Sequence, residues 1–213
     1  MALATAKKLR IAILLSGSGR TLLNLQKRIE EGSLTATIER VVSSRADVLG
    51  VERARDLGIP TEVIDRKSCS PADFDARITN AVAGVDLVCM AGFLSLWRMP
   101  PDWVGRVINI HPALLPEFGG PGMFGMHVHE AVLAAGRKES GCTIHFCDLE
   151  YDRGPILLQR RVPVLPGDTA HSLADRVFEK ECEAYPEAIQ LFADGRVRWD
   201  GQRVLIDERA NGG

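Results

Sequence analysis

Short apolar runs that alternate with helical periods limit the folds open to this chain more than any other feature. Residues 11–15 are apolar at every position, the pattern of a strand buried on both faces of a parallel sheet. The run breaks at Ser16-Gly17-Ser18-Gly19, and a helical stretch follows over 22–31. Residues 40–43 predict a second strand, then a helix over 48–57 with Asp47 as its N-cap and Gly58 as its stop. Residues 61–64 predict a third strand. Ser70-Pro71 opens a helix to about Val82, with proline at the first helical position, and 87–91 and 107–110 predict two more strands. Such units in series predict an α/β chain: a single domain built on a mostly parallel twisted sheet with helices on both faces.

Beyond residue 111 the texture changes. Gly119-Gly120-Pro121-Gly122-Met123-Phe124-Gly125 carries too much glycine and proline for regular structure and predicts a mobile loop. A helix over 129–135 is expected next, then strands over 142–147 and 156–164 around a polar loop, 148–154. A long helix over 172–192 closes the series, its apolar face carrying Leu173, Val177, Tyr185, Ile189 and Phe192 in spite of Pro186. Asp200-Gly201 between short apolar stretches predicts a hairpin, and 210–213 a disordered end. The expected division is an extension over 1–10, a main domain over 11–196, and a hairpin and tail over 197–213.

The segment Val107 to Pro116 holds the densest chemistry. Strand side chains alternate faces, so Asn109 and His111 point the same way at a strand's carboxyl end, where open α/β sheets bind ligands. An amide N–H can hold the oxygen of an acyl-transfer intermediate, and an imidazole can carry the proton between nitrogens. The same residues also suit an Asx-type turn beside a histidine satisfied by backbone. Ser16-Gly17-Ser18-Gly19-Arg20-Thr21 is no dinucleotide fingerprint, because Leu22 stands where the third glycine would fall. It suits either a tight turn or a phosphate held by backbone N–H groups. Asp152 before Arg153-Gly154-Pro155 is a turn residue or an acidic partner for a histidine. His127 and His129 begin a helix, where ligands two apart do not share a face, so they are read as structural and no metal is expected.

Composition removes other classes. With 26 basic and 28 acidic residues, no broad cationic field exists for a nucleic acid. The scattered Cys69, Cys89, Cys142, Cys147 and Cys182 fit a reducing compartment. The chain begins without a signal peptide's apolar core, and no run approaches the roughly 20 apolar residues of a membrane span, so a cytoplasmic protein with no membrane partner is expected.

Asn109-Ile110-His111-Pro112-Ala113-Leu114-Leu115-Pro116 resembles the active-site signature of the 10-formyltetrahydrofolate-dependent formyltransferases. The resemblance spans 11–196. It takes in Ser16-Gly17-Ser18-Gly19, Ala91-Gly92-Phe93, Asp152-Arg153-Gly154-Pro155-Ile156 and Phe192-Ala193-Asp194-Gly195-Arg196 in the family's order. Pro112-Ala113 is similar to the branch that formylates phosphoribosylglycinamide. Met-tRNA formyltransferases and formyltetrahydrofolate hydrolases differ there, and their extra domains have little room in 213 residues. The resemblance implies a Rossmann-like formyltransferase fold and, with no metal, transfer of a formyl group from 10-formyltetrahydrofolate, as cosubstrate, to the amine of 5-phosphoribosylglycinamide in purine synthesis.

By the same resemblance Asn109, His111 and Asp152 are catalytic, with Asp152 raising the pKa of His111. Gly19, Arg20 and Thr21 would hold the acceptor's phosphate, where the family usually has Ser-Asn in place of Arg20-Thr21. Glu181 would meet its ribose. The folate would lie against Leu94, Ser95, Leu96 and Trp97 and against Asp148, Leu149, Glu150 and Tyr151. The glycine-rich segment 119–125 is longer than the family's common form, and Pro71 stands where some relatives use an arginine. The rival expectations are hydrolysis of the formyl donor, which needs no phosphate loop, and a non-catalytic folate- or nucleotide-binding module, which needs no complete catalytic set. The sequence leaves monomer and homodimer open.

Overall fold

The computed structural model describes residues 7–200 and 203–207. Most of the 1–10 extension, Gly201 of the expected hairpin turn and the end at 210–213 lie outside them. Strands β1 (Leu9–Leu15), β2 (Ala36–Ser43), β3 (Thr61–Val63), β4 (Leu87–Met90) and β5 (Val107–His111) alternate with helices α1 (Arg20–Glu30), α2 (Leu49–Asp56) and α3 (Pro71–Ala81). Helix α4 (Met126–Ala134), strands β6 (Glu139–Phe146) and β7 (Ile156–Pro163) and helix α5 (Ala170–Ala193) follow, then β8 (Val197–Trp199) and β9 (Val204–Ile206).

The main sheet runs β3-β2-β1-β4-β5-β6-β7. Pairs from β3 to β5 are parallel, whereas β5–β6 and β6–β7 are antiparallel. The stretch 147–155 between β6 and β7 is shorter than the dozen or so residues a parallel crossover needs, so the chain must turn straight back. Strand β1 shows how the sheet divides the core. Ile11, Ile13 and Leu15 join Leu22 and Leu25 of α1 and Val177, Tyr185 and Ile189 of α5 on one face, while Ala12 and Leu14 join Phe74 and Ile78 of α3 on the other.

Caps explain the boundaries. Ser70 accepts the N–H of Asp73 with Pro71 at the first helical position, as expected. Asp47 is not the N-cap of α2: Val48 occupies that position without a side-chain cap, and Asp47, one residue too early to reach the free N–H groups, lies 3.5 Å from Arg45. Helix α4 starts at Met126 rather than 129. Pro186 sits inside an unbroken α5 because the carbonyl it leaves without a helical donor, that of Cys182, accepts from the Asn24 side chain of α1 at 3.0 Å. Trp199 of β8 packs its ring 5.6 Å from Phe146 and against Gly105.

Candidate active site

The strand order reverses between β1 and β4, and ligands in open α/β sheets bind at the carboxyl ends of the strands flanking such a point. A cleft of about 480 Å³ opens there, walled by the turn after β1, the end of β5, loop 120–125 and α5. A recess of about 60 Å³ adjoins it, lined by Met90, Leu96, Trp97, Met99 and Cys147 among others. The two share Phe93, Asn109, Tyr151 and Asp152.

Strand β5 presents Asn109 and His111 to this junction. The antiparallel register of β6 sets His145 opposite Asn109 and Thr143 opposite His111. Nδ2 of Asn109 lies 3.1 Å from Nε2 of His145. Nδ1 of His145 is 2.9 Å from the carbonyl of Phe146, which fixes that proton on Nδ1 and leaves Nε2 to accept from Asn109. The second N–H of Asn109 has only a 3.5 Å contact with Oδ1 of Asp152, a long bond that an incoming oxygen can replace.

Asp152 has φ +56, a left-handed backbone uncommon for a non-glycine residue. Its Oδ2 accepts the N–H of Gly120 at 2.9 Å and stands 3.6 Å from Nδ1 of His111. The Nε2–H of His111 donates to the carbonyl of Phe118 at 2.8 Å, so the free lone pair of the neutral ring is on Nδ1, facing Asp152. Burial of an imidazole only 3% exposed pushes the pKa of His111 down; Asp152 raises it, as expected, but with the Phe118 carbonyl recovers only part of the loss, so the net shift is downward and the ring is not held as a cation. At Asp152 burial pushes upward, but the nearby rings of His145, with Nε2 3.4 Å from Oδ1, and of His111, together with the Gly120 N–H, outweigh it and leave the carboxyl below its ordinary value.

The turn after β1 is built on backbone contact. Gly19 is the N-cap of α1 at φ +73, and a Cβ there would lie 2.8 Å from Cα of Gly50, whose own N–H donates to Gly17. Gly19, Arg20, Thr21 and Glu181 all line the main cleft. Burial pushes the carboxyl of Glu181 up to about 7, against the pull of Arg20.

Of the residues expected to meet the folate, Leu94 lines the main cleft, Tyr151 lines both cavities, and Ser95, Leu96, Trp97, Asp148 and Glu150 line the recess. Leu149 lines neither and is 62% exposed. Trp97 belongs as much to the core, with its indole N–H on Thr79 at 3.3 Å. Pro71, at the start of α3, lines neither cavity.

His145 has no local signal in the sequence, because only the β5–β6 register brings it to Asn109. Phe178 and Ala174 of α5 and a buried His129, whose Nδ1 has no hydrogen-bond partner, also line the cleft. His127 is exposed beside Glu130, so the two histidines of α4 face apart. Among the described residues no group of three or more His, Cys, Asp or Glu is placed to share a metal ion, and no helix is long and apolar enough to cross a membrane.

A formyl transferase family model matches residues 9–189. The chloroplastic phosphoribosylglycinamide formyltransferase of Vigna unguiculata is 37% identical over 217 residues, covering 97% of this chain and 68% of that protein. The trifunctional purine biosynthetic protein adenosine-3 of Gallus gallus is 41% identical over 196 residues, 90% of this chain but 19% of its own length, so the chain spans less than a fifth of such trifunctional relatives. Among solved structures, glycinamide ribonucleotide transformylase 1 from Symbiobacterium toebii superposes with a TM-score of 0.85 at 41% identity, covering 95% of both chains.

Proposed function

This chain belongs to the formyl transferase family, and from that premise we propose that it transfers the formyl group of 10-formyltetrahydrofolate to the primary amine of 5-phosphoribosylglycinamide, a step of purine synthesis. The observation that carries the reading is the meeting of two cavities at Asn109 and Asp152. The acceptor enters the larger one, its phosphate at Gly19, Arg20 and Thr21 and its ribose toward Glu181. The donor's heterocycle enters from the recess, against Leu96, Trp97 and the 148–151 loop. Residues 11–196 form the catalytic unit, working in the cytoplasm, although the plant relative is named chloroplastic.

The donor supplies a formyl carbon activated by its nitrogen. The amine of the acceptor forms the new C–N bond, and the carbonyl electron pair moves onto oxygen. Asn109 exchanges its long contact with Asp152 for that oxyanion, while the His145 bond keeps the amide oriented. His111 is neutral in the free protein, so Nδ1 first takes the proton of the attacking amine; Asp152 holds the resulting imidazolium, which gives the proton to the departing folate nitrogen as the old C–N bond breaks. Positioning of both substrates supplies the rest of the rate.

The test is to incubate the protein with 10-formyltetrahydrofolate, with and without phosphoribosylglycinamide, and follow tetrahydrofolate release. Release that requires the amine is expected. Release without it means a hydrolase, and binding with no release under either condition means a non-catalytic module.

A further inference from the structure

Asp175, Phe178 and Glu181 follow one another at three-residue steps along α5 and so share a face of the helix. All three act on one side chain from the opposite wall. The guanidinium of Arg20 stacks 3.8 Å from the centroid of the Phe178 ring, its Nη2 lies 3.6 Å from Oδ1 of Asp175, and its charge pulls against the burial of Glu181.

These contacts are unequal. A guanidinium held over a ring at this distance loses rotamer freedom in advance yet keeps N–H groups available for a planar or tetrahedral anion. The contact with Asp175 is longer than a hydrogen bond and joins two exposed groups, so it is weak and easily exchanged. Arg20 opens α1 directly after Gly19, where free N–H groups already favour negative charge. A phosphate arriving there offers charged oxygens to both edge nitrogens and displaces a carboxylate held at 3.6 Å.

We propose that Phe178 is a positioning residue that holds the Arg20 guanidinium for the acceptor's phosphate, and that Asp175 is the resting counter-ion which that phosphate displaces. The inference rests on the phosphate reading of the 16–21 turn, and it identifies residues outside the turn that set the strength of the site. Asp175 therefore works against binding, so its removal improves the site.

Calorimetry with ribose 5-phosphate as the probe, on the full chain, tests this. Arg20→Ala should weaken the probe by about 10- to 100-fold, the scale of a charged hydrogen-bond pair. Phe178→Leu should weaken it several-fold and Phe178→Tyr should restore it, because either aromatic face carries the guanidinium. Asp175→Asn, an exposed change that leaves the fold intact, should tighten the probe by about two- to five-fold.

The decisive arm repeats Asp175→Asn and Phe178→Leu in the Arg20→Ala background, where both effects should vanish. A gain from Asp175→Asn that survives there would make the carboxylate part of the general field, and a Phe178→Leu loss that survives would make the ring an apolar wall. Either result overturns the proposal while leaving the phosphate reading in place. Failure of the unaltered protein to bind ribose 5-phosphate would overturn both.

Discussion

The turn after β1 and the loop after β5 leave parallel strands at the same edge of the sheet, border the same cleft and are both rich in glycine. The first is closed by backbone packing: Gly19 lies against Gly50, Gly50 donates to Gly17, and Ser16 ties the turn to Gly92 and Leu94. In the second, Gly120, Gly122 and Gly125 have open space where a Cβ would stand, and the loop is joined to the reacting groups by Phe118 on His111 and Gly120 on Asp152. Glycine in the turn permits close approach at Gly19 and Gly50, whereas at Gly120, Gly122 and Gly125 of the loop it permits positive φ in open space beside the reacting groups. On the proposed reading the first region holds the acceptor's phosphate and the second borders the reacting groups.

The largest effect should come from the group that the loop touches. His111→Ala should slow turnover by about 100- to 10,000-fold while the melting midpoint and ribose 5-phosphate binding stay near their unaltered values, because the lost group moves a proton and does not build the turn. Kinetics beside a thermal melt checks both halves. A parallel loss of phosphate binding would erase the division of labour.

Glycine substitutions should separate the two regions next. Gly19→Val combines left-handed backbone with a Cβ pressed on Gly50 and should cost about 2–4 kcal/mol in denaturant unfolding, weakening ribose 5-phosphate far more than the folate donor. Gly122→Ala, at φ +85 with nothing nearby, should cost only about 1 kcal/mol, the price of the left-handed conformation alone. Equal costs would break the comparison.

Acid should act through the cleft histidines. Burial pushes both His111 and His129 below their ordinary pKa, with His111 adding to the effect at His129, so the unfolded chain takes up protons more readily than the folded one. Their contribution is intact above about pH 6.5 and is lost as pH falls from there through the lower folded values. Asp152 has the lowered carboxyl pKa, and its contribution is lost only in a separate window below about pH 4. Glu181, whose carboxyl burial raises to about 7, contributes in the opposite sense over the same window, so the test is made in Glu181→Gln, where a melting midpoint that stays level from about pH 7 to about pH 5 would contradict the histidine assignment. The smallest signal is dynamic: hydrogen exchange across 119–125 should slow when both substrates are bound, while 16–19 stays unchanged.

Much of this frame is legible in the chain. The fully apolar 11–15 announces a central parallel strand, Ser70-Pro71 announces the start of α3, and Asn109-x-His111 needs only strand alternation to reach one face. What escapes depends on distant packing. Asp47 looks like a cap because Asp is a good one, but the chain enters α2 one residue later, at a valine. The helix through Pro186 is legible from its apolar face, but the side chain that satisfies the carbonyl freed there, Asn24, lies 162 residues before the proline in another helix. His145 becomes part of the cluster only through the β5–β6 register, and Phe178 only through the docking of α5 against α1. The pKa of His111 is the instructive case. The charge of its partner is readable from residue types, but the degree of burial that outweighs it belongs to the folded chain.

The central claim is that burial keeps His111 neutral in the free protein while Asp152 stands ready to stabilise its cation. Titration of the His111 imidazole by NMR, in the unaltered protein and in Asp152→Asn, tests it directly. The account predicts a pKa below the ordinary 6.5 in the first and a still lower value in the second, since the substitution removes the carboxylate and leaves the burial. A pKa above 6.5 in the unaltered protein, or the same value in both, would contradict it.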